Sequence, residues 1–93
     1  MEIIYNAEKR ALTLEKRGLD FEDAVHVFAG SVVDLEDDRE DYGETRWLTF
    51  GLLNERMVVL VWTQRGEARH IISMRKANER ERKRYEGRLD RPG

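Results

Sequence analysis

The sequence predicts a single α+β domain over residues 1–93, arranged in two layers with helices packed on an antiparallel β-meander. Three observations support this class. Apolar residues recur at helical spacing in the first third of the chain, and they alternate with polar residues through much of the middle. The predicted helices are grouped apart from the predicted strands instead of alternating with them. A chain of 93 residues has the size of one domain.

The N-terminal segment is predicted to hold a short strand and two helices. Glu2–Tyr5 is short and apolar, as an edge strand is. Asn6 can cap a first helix through its side chain, and Gly18 suits the left-handed position that follows the end of that helix. Asp20 can cap a second helix, which Gly30 ends.

The middle of the chain is predicted to form a four-stranded meander. Its strands are Ser31–Leu35, Arg46–Leu53, Met57–Thr63 and Arg69–Arg75. An acidic loop over residues 34–44, a hairpin turn at 54–55 and a second turn over 64–68 connect them.

The last predicted strand has two chemically different faces, because side chains alternate along a strand. One set is Arg69, Ile71, Ser73 and Arg75, and the other is His70, Ile72 and Met74. After this strand, Asn78 and Glu81 resemble a capping box, which predicts a final helix ending near residues 86–88. The last four residues are expected to fray.

The net charge of −2 conceals an uneven distribution. Residues 34–46 carry seven acidic and two basic side chains, whereas residues 65–91 carry ten basic and five acidic ones. A local field of this kind can attract nucleic acid even when the whole chain is slightly acidic. The absence of cysteine excludes disulfides and thiolate metal sites. The apolar runs are too short to span a membrane and the N-terminus is unlike a signal peptide, so we expect a cytoplasmic protein.

The sequence contains no glycine-rich phosphate loop, no zinc-protease motif and no nucleophile elbow. Its two histidines, His26 and His70, do not have the spacing of metal ligands, so we expect no metal and no cofactor. We interpret His26 as a surface residue and His70 as a strand residue without a catalytic role.

Four cations lie near predicted strand ends: Arg65, Arg69, Arg75 and Lys76. Guanidiniums in such places can bind a phosphate through two hydrogen bonds and stabilise charge that develops on it. The cations of residues 80–84 are more simply explained as a solvated helix face with i,i+4 ion pairs. Trp62 lies in an apolar strand and is expected in the core. From the residues alone, an enzyme and a non-catalytic binding module both remain open.

Several segments, in this order, resemble the BrnT family of bacterial type II toxins. They are YNAEKRALTLEKRGLDFEDAVHVF (5–28), YGETRWLTFG (42–51), VVLVWTQRG (58–66) and RHIISMRKANERERKRYE (69–86). The most specific pieces are K/R-G-x-x-F-E-x-A between two helices and the ending I-S-x-R-K/R-A-x-x-x-E-R-x-x-Y. Two positions depart from the family pattern: Tyr5-Asn6 replaces the usual Trp-Asp, and Arg17-Gly18 replaces the usual His-Gly.

The resemblance implies a RelE-like fold and RNA cleavage that arrests translation. It also implies neutralisation by a BrnA-type antitoxin of the ribbon-helix-helix kind, operator DNA contact only through that antitoxin, and no membrane partner. The catalytic positions that it indicates are Lys9, Glu22, Arg65 and Arg75. We add expected RNA contacts by Arg69, Lys76, Arg82 and Tyr85.

The expected reaction is metal-independent attack of the ribose 2′-OH on the adjacent phosphate. Glu22 would be the base or an orienter, and Lys9 a second cation or proton donor. Arg65 and Arg75 would converge on one anion-sized pocket beside the first two helices and hold the phosphate. The alternatives are a basic binding module that cuts nothing and a toxin that has lost its activity.

Overall fold

The computed structural model describes residues 1–89. Its elements are β1 (Glu2–Tyr5), α1 (Ala7–Arg17), a 3₁₀ turn (Phe21–Asp23), α2 (Ala24–Ala29), β2 (Val32–Asp37), β3 (Arg46–Leu53), β4 (Arg56–Arg65), β5 (Ala68–Lys76) and α3 (Glu79–Leu89). The strands form one five-stranded sheet in the order β1-β5-β4-β3-β2. Strands β2 to β5 pair antiparallel, and β1 pairs with β5 in parallel. The predicted α+β class is confirmed, while the expected fraying of residues 90–93 lies outside the described residues.

The caps of the first two helical segments agree with the sequence. The Asn6 side chain accepts a hydrogen bond from the Lys9 backbone N–H at 3.0 Å, which starts α1. Gly18 ends it in the left-handed region, at a φ of 68°. Asp20 accepts from the Glu22 backbone N–H at 3.0 Å, but the segment begins as a 3₁₀ turn before α2. Short 3₁₀ turns are common at the start of an α-helix.

The β3–β4 hairpin turns through the two predicted residues. Asn54 and Glu55 both have positive φ, at 51° and 66°. Leu53 and Arg56 pair directly on either side of them, so the connection is a two-residue loop. Positive φ at both loop positions is the geometry of the turn whose twist matches a two-residue hairpin.

Strand β2 continues two residues beyond its predicted end, into the segment expected to be an acidic loop. Two acidic side chains of this strand, Asp34 and Asp37, accept hydrogen bonds from neighbouring residues. The Thr49 hydroxyl of β3 donates to the Asp34 carboxylate at 2.6 Å. Asp37 is 4% exposed and accepts from the Arg39 guanidinium at 2.7 Å. Partnered carboxylates can remain in a strand because their charge is compensated locally.

Strand β5 contains a bulge that changes which side chains share a face. Val61 of β4 pairs with Ser73, but the next residue, Trp62, pairs with Ile71, so Ile72 is the extra residue. The predicted strict alternation over residues 69–75 is therefore wrong. Arg69, Ile71 and Met74 lie on one face of the sheet, and His70, Ser73 and Arg75 lie on the other.

The two faces of the sheet carry separate clusters of buried residues. The face toward α1 and α2 holds Leu19, Phe21, Ala24, Val27, Val58, Leu60, Trp62, Ile71 and Met74. The opposite face holds Val33, Phe50, Met57 and Val59 beneath Tyr85 and Leu89 of α3. Helix α3 thus adds a second helical layer at one end of the sheet. The apolar run from Met57 to Leu60 has no polar interruption because β4 is buried on both faces.

Helix α1 covers the edge of β5 that β1 leaves open. Within residues 1–89, strand β1 pairs with Ala68 to Ile71 and not with the rest of β5. Further along β5, the Arg17 guanidinium donates to the carbonyl of Met74 at 2.9 Å. An otherwise free edge carbonyl is satisfied in this way. Among residues 1–89, no helix has both the length and the apolar character needed to cross a membrane.

Candidate active site

The sheet face opposite α1 and α2 is covered only in part, because α3 packs on one end of it. The remaining strip, which we call the open face, consists of Arg46, Leu48, Val61, Thr63, His70 and Ser73. These residues share a face because cross-strand partners point to the same side of a sheet. Leu48, Val61 and Ser73 are half-buried, and Thr63 is buried with its hydroxyl donating to the Thr45 carbonyl at 2.7 Å. The strip is a partly apolar floor with charged groups at its ends.

Two guanidiniums meet one carboxylate at the end of the open face. Glu44 lies 3.2 Å from Nε of Arg46 and 3.6 Å from Nη2 of Arg65. The Arg46 guanidinium is also centred 4.0 Å over the ring of Tyr42, which fixes its plane. The Arg65 side chain is 52% exposed and the Arg46 side chain 27% exposed. This pair can hold an anion, since one anionic group already lies between them.

His70 lies beside this pair, directly across from Thr63 on β4. Its Nδ1 atom is buried and has no hydrogen-bond partner among residues 1–89. Burial lowers the pKa of His70, and the charge of Arg65 lowers it further. The cations Lys9 and Arg46 act in the same direction, while Glu44 acts against them. Burial and the neighbouring cations therefore favour the neutral form of the imidazole.

No role for His70 was predicted from the sequence, because the bulge in β5 is not visible there. Strict alternation placed His70 on the same face as Ile72 and Met74, where it read as an ordinary strand residue. The bulge instead puts it on the face that carries Arg65 and Ser73. The only sequence feature that could have indicated a role for His70 is its place in a segment rich in cations, directly after Arg69.

Lys9 reaches toward the open face from the edge of the sheet. It lines a shallow cavity of about 360 Å³ between α1 and β5. The other lining residues are Leu12, Thr13, Lys16, Arg17, Ile72 and Ser73. Ser73 belongs to the open face, and the charge of Lys9 acts on His70. Of the four predicted catalytic residues, Lys9 and Arg65 are therefore brought to the same region.

Arg75 lies on the same face as Arg65 but at its other end. Arg65 pairs with Ala68, whereas Arg75 pairs with Val59. These two positions of β4 are six residues apart, which is about 20 Å at the rise of a strand. Both guanidinium nitrogens Nη1 and Nη2 of Arg75 donate to Glu81 at 2.8 Å. The prediction that Arg65 and Arg75 converge on one anion-sized pocket is therefore wrong.

The carboxylate that binds Arg75 also starts α3. Glu81 accepts from the backbone N–H of Asn78 at 2.9 Å, and Asn78 accepts from the backbone N–H of Glu81 at 2.8 Å. This is the predicted capping box. The hydrogen bonds from Arg75 hold the pKa of Glu81 below its usual range. Arg75 consequently joins the end of β5 to the first turn of α3.

Glu22 lies on the helix side of the sheet, away from the open face. Its carboxylate accepts a hydrogen bond from the hydroxyl of Tyr5, and this bond raises the pKa of Tyr5. The Tyr5 ring packs edge-on against Phe21 with ring centres 5.9 Å apart, within the cluster under α1 and α2. The sheet separates Glu22 from Arg65, so the two predicted catalytic residues do not act on one atom in this arrangement.

The predicted RNA contacts are dispersed. The Arg69 guanidinium stacks on the helix side, 4.3 Å from the centre of Trp62 and 4.5 Å from that of Phe28. Tyr85 is 8% exposed and its ring packs 4.4 Å from that of Phe50, which leaves no free ring face for a base. The prediction that Trp62 belongs to the core is confirmed.

The remaining two predicted RNA contacts, Lys76 at the end of β5 and Arg82 in α3, each line a cavity next to the β3–β4 turn. Lys76 shares a cavity of about 340 Å³ with Arg17 and Arg56. Arg82 shares another, of about 620 Å³, with Arg56 and Glu86. Neither cavity includes a residue of the open face. Within residues 1–89, no group of three or more His, Asp or Glu side chains is placed to hold a metal ion.

The family model described as "Ribonuclease toxin, BrnT, of type II toxin-antitoxin system" matches residues 5–81 of the 93. No curated protein matches the chain. The matched range runs from the last residue of β1 through β5 and the open face to the third residue of α3.

Proposed function

Because the chain belongs to the BrnT family of ribonuclease toxins of type II toxin-antitoxin systems, we propose that it cleaves RNA on the open face without a metal ion. The ribose 2′-OH gives its proton to water as its oxygen attacks the adjacent phosphorus, a 2′,3′-cyclic phosphate forms, and the bond to the 5′ oxygen breaks. The leaving 5′ oxygen takes a proton from Lys9. The proposed place of cleavage rests on one observation: the Glu44 carboxylate forms ion pairs with both Arg46 and Arg65. A phosphate oxygen has the charge and the hydrogen-bonding capacity to take the place of that carboxylate.

The cations around Glu44 can stabilise the negative charge of the transition state. Negative charge spreads over the phosphoryl oxygens as the new bond forms, and fixed donors stabilise it. Arg46 is held by its stacking on Tyr42, whereas Arg65 is more exposed and freer to turn from Glu44 to a substrate. Lys9 adds a third cation from the edge, next to Ser73. In this scheme the protein's own cations provide the charge stabilisation that a metal ion provides in other nucleases.

Arg75 and Glu22 act at a distance from the scissile phosphate. With Arg75 about 20 Å along the sheet from Arg65, the RNA backbone runs along the open face and Arg75 contacts a second phosphate. The half-buried side chains of Leu48 and Val61 lie between them and offer an apolar surface to bases. Glu22 is assigned a positioning role on the helix side, where it holds Tyr5.

Replacing Arg65 by Ala tests the location. We expect the rate of RNA cleavage to fall by about 10²–10³-fold, as when one donor to a developing anion is removed. Lys83→Ala is the matched control, because it removes a cation from α3; the Lys83 side chain is 73% exposed and, within the described part of the chain, forms an ion pair with Glu79. Cleavage by Arg65→Ala at the wild-type rate would place the reaction elsewhere.

The metal-independent step has a separate test. Purified protein dialysed against EDTA should cleave RNA at an unchanged rate, since the proposed site uses cations of the chain. Complete loss of activity in EDTA, restored by a divalent ion, would replace this mechanism with a metal-assisted one.

For the partner, we propose a BrnA-type antitoxin of the ribbon-helix-helix kind that covers the open face in the cytoplasm. Operator DNA is contacted through the antitoxin alone. An arm with acidic side chains fits the cations Arg46 and Arg65, because charge of opposite sign favours both encounter and register. In the complex, amides of residues 60–73 should exchange with deuterium more slowly than in the free toxin. Unchanged exchange there would show that the antitoxin docks on another surface.

A non-catalytic binding module is the second candidate, favoured by the fact that Arg65 and Arg75 each already have an internal carboxylate partner. Such pairs can be purely structural. Induced expression separates the two: a ribonuclease arrests growth and degrades RNA, and Arg65→Ala relieves both effects. A binding module leaves RNA intact, and its phenotype does not depend on Arg65.

A further inference from the structure

We infer that His70 is a catalytic residue of the open face that donates a hydrogen bond from Nε2–H, as a neutral imidazole, to a non-bridging oxygen of the bound phosphate. The inference rests on the proposed function and names a donor that the sequence did not indicate. It rests on the position of the imidazole ring and on which of its two nitrogens carries the proton.

The position follows from strand register. His70 is directly across from Thr63 on β4, and Arg65 is the next residue of β4 on the same face. Arg46 shares that face from β3. An anion that takes the place of Glu44 between Arg46 and Arg65 therefore lies beside the imidazole.

The state of the nitrogens follows from the burial of Nδ1. This atom is buried without a hydrogen-bond partner among residues 1–89, while the ring as a whole is only half-buried. A neutral imidazole carries one N–H and one lone pair. A buried N–H without an acceptor is disfavoured, so the proton resides on Nε2, the nitrogen that reaches the open face. His70 is then a donor in the direction of the anion.

The charges around the ring oppose its protonation. The groups that act on it are Arg65 of β4, Lys9 of α1, Arg46 of β3 and, with opposite sign, Glu44 of the preceding loop. A second proton would also place an unpaired N–H at the buried Nδ1. Both effects keep the imidazole neutral, and a neutral imidazole can serve as a hydrogen-bond donor to a developing oxyanion. Proton transfer is not required of it.

Two variants distinguish a donor from a proton-transfer group. In His70→Gln the side-chain amide places an N–H close to the position of Nε2 but cannot accept or deliver a proton in the reaction. We expect His70→Gln to cleave RNA within about tenfold of the wild-type rate with the same pH profile, and His70→Ala to lose about 10²–10³-fold. Equal and complete loss in both variants, with folding intact, would overturn the donor role. Wild-type activity in His70→Ala would also overturn it.

A second measurement does not depend on cleavage. Long-range ¹H–¹⁵N spectra of the full chain identify which ring nitrogen carries the proton, and His26→Gln assigns the two histidines. We expect His70 to be neutral with its proton on Nε2 at pH 7, and inorganic phosphate to shift the Nε2 resonance more than the Nδ1 resonance. A proton on Nδ1, or an imidazolium at pH 7, would contradict the inference. If the spectra agree but the chain cuts no RNA, the anion site stands and the proposed reaction fails.

Discussion

Replacing Glu44 by Gln tests the anion site through the group that now occupies it. Glu44 lies 3.2 Å from Nε of Arg46 and 3.6 Å from Nη2 of Arg65. Two unit charges about 4 Å apart attract by about 1 kcal/mol in water and about 4 kcal/mol at an effective dielectric constant of 20. All three side chains are partly exposed, so each pair stabilises the fold by only about 0.2–1 kcal/mol net.

The same carboxylate opposes the binding of RNA. A phosphate must displace it from the guanidiniums, and its charge repels the phosphate. Gln preserves the shape and removes the charge. We therefore expect the affinity for RNA to rise about tenfold, which corresponds to about 1.4 kcal/mol. The free energy of unfolding should fall by less than about 2 kcal/mol, the sum of the two pairs.

Fluorescence anisotropy with a short oligonucleotide that lacks 2′-hydroxyls measures the affinity without cleavage. The ionic strength must be fixed, because phosphate contacts weaken steeply with salt. Glu79→Gln is the control: it makes the same change in net charge on α3, where the Glu79 side chain is 72% exposed and pairs with Lys83. If the two variants bind equally well, the gain reflects net charge and the site at Glu44 is refuted. Weaker binding by Glu44→Gln would refute it more strongly.

Three further predictions concern the fold. Glu81→Gln should lower the free energy of unfolding by about 1–2 kcal/mol at pH 7, because it removes the negative charge from the pair with Arg75 and from the first turn of α3. The pKa of Glu81 is depressed in the folded state, so this contribution is present above the ordinary value near 4.5 and is lost as the pH falls through the lower folded value; the urea midpoints of variant and wild type should converge as the pH is lowered below 4.5. Gly51→Ala should destabilise by about 1–3 kcal/mol in thermal unfolding, because its Cβ would lie 2.6 Å from Cγ1 of Val27 and force α2 away from β3; an unchanged midpoint would mean that α2 yields freely. Glu55→Gly should stabilise by about 0.5–1 kcal/mol, since Glu55 has a φ of 66° in the hairpin turn, and a loss of stability there would contradict the turn geometry.

Local chemistry made much of the fold predictable. Asn6, Gly18, and the pair of Asn78 and Glu81 mark helix ends through hydrogen bonds within four residues of the chain, so no distant partner is needed to interpret them. The strand pattern of residues 46–65 is equally local. The 3₁₀ turn at Phe21 differs from the predicted helix only in how tightly the first turn is wound.

The site was less predictable because it depends on which face of the sheet a side chain occupies. The bulge at Ile72 reverses the face of every residue on one side of it, and it appears only when β5 is aligned with β4. Without it, His70 reads as a core-side residue and Arg69 as a neighbour of Arg75. The burial of Tyr85 against Phe50 likewise arises from where α3 crosses the sheet.

The sequence by itself determined the α+β class, the helix caps, the hairpin at residues 54–55 and the family to which the chain belongs. Each of these rests on residues close together in the chain or on an ordered set of motifs. Only the tertiary structure decided that Arg46, Arg65 and His70 lie together at one end of the open face. It also decided that Glu22 lies on the other side of the sheet and that Arg75 binds Glu81. The physical reason is strand register: a shift of a single residue moves a side chain to the opposite face, and long-range pairing alone fixes that shift.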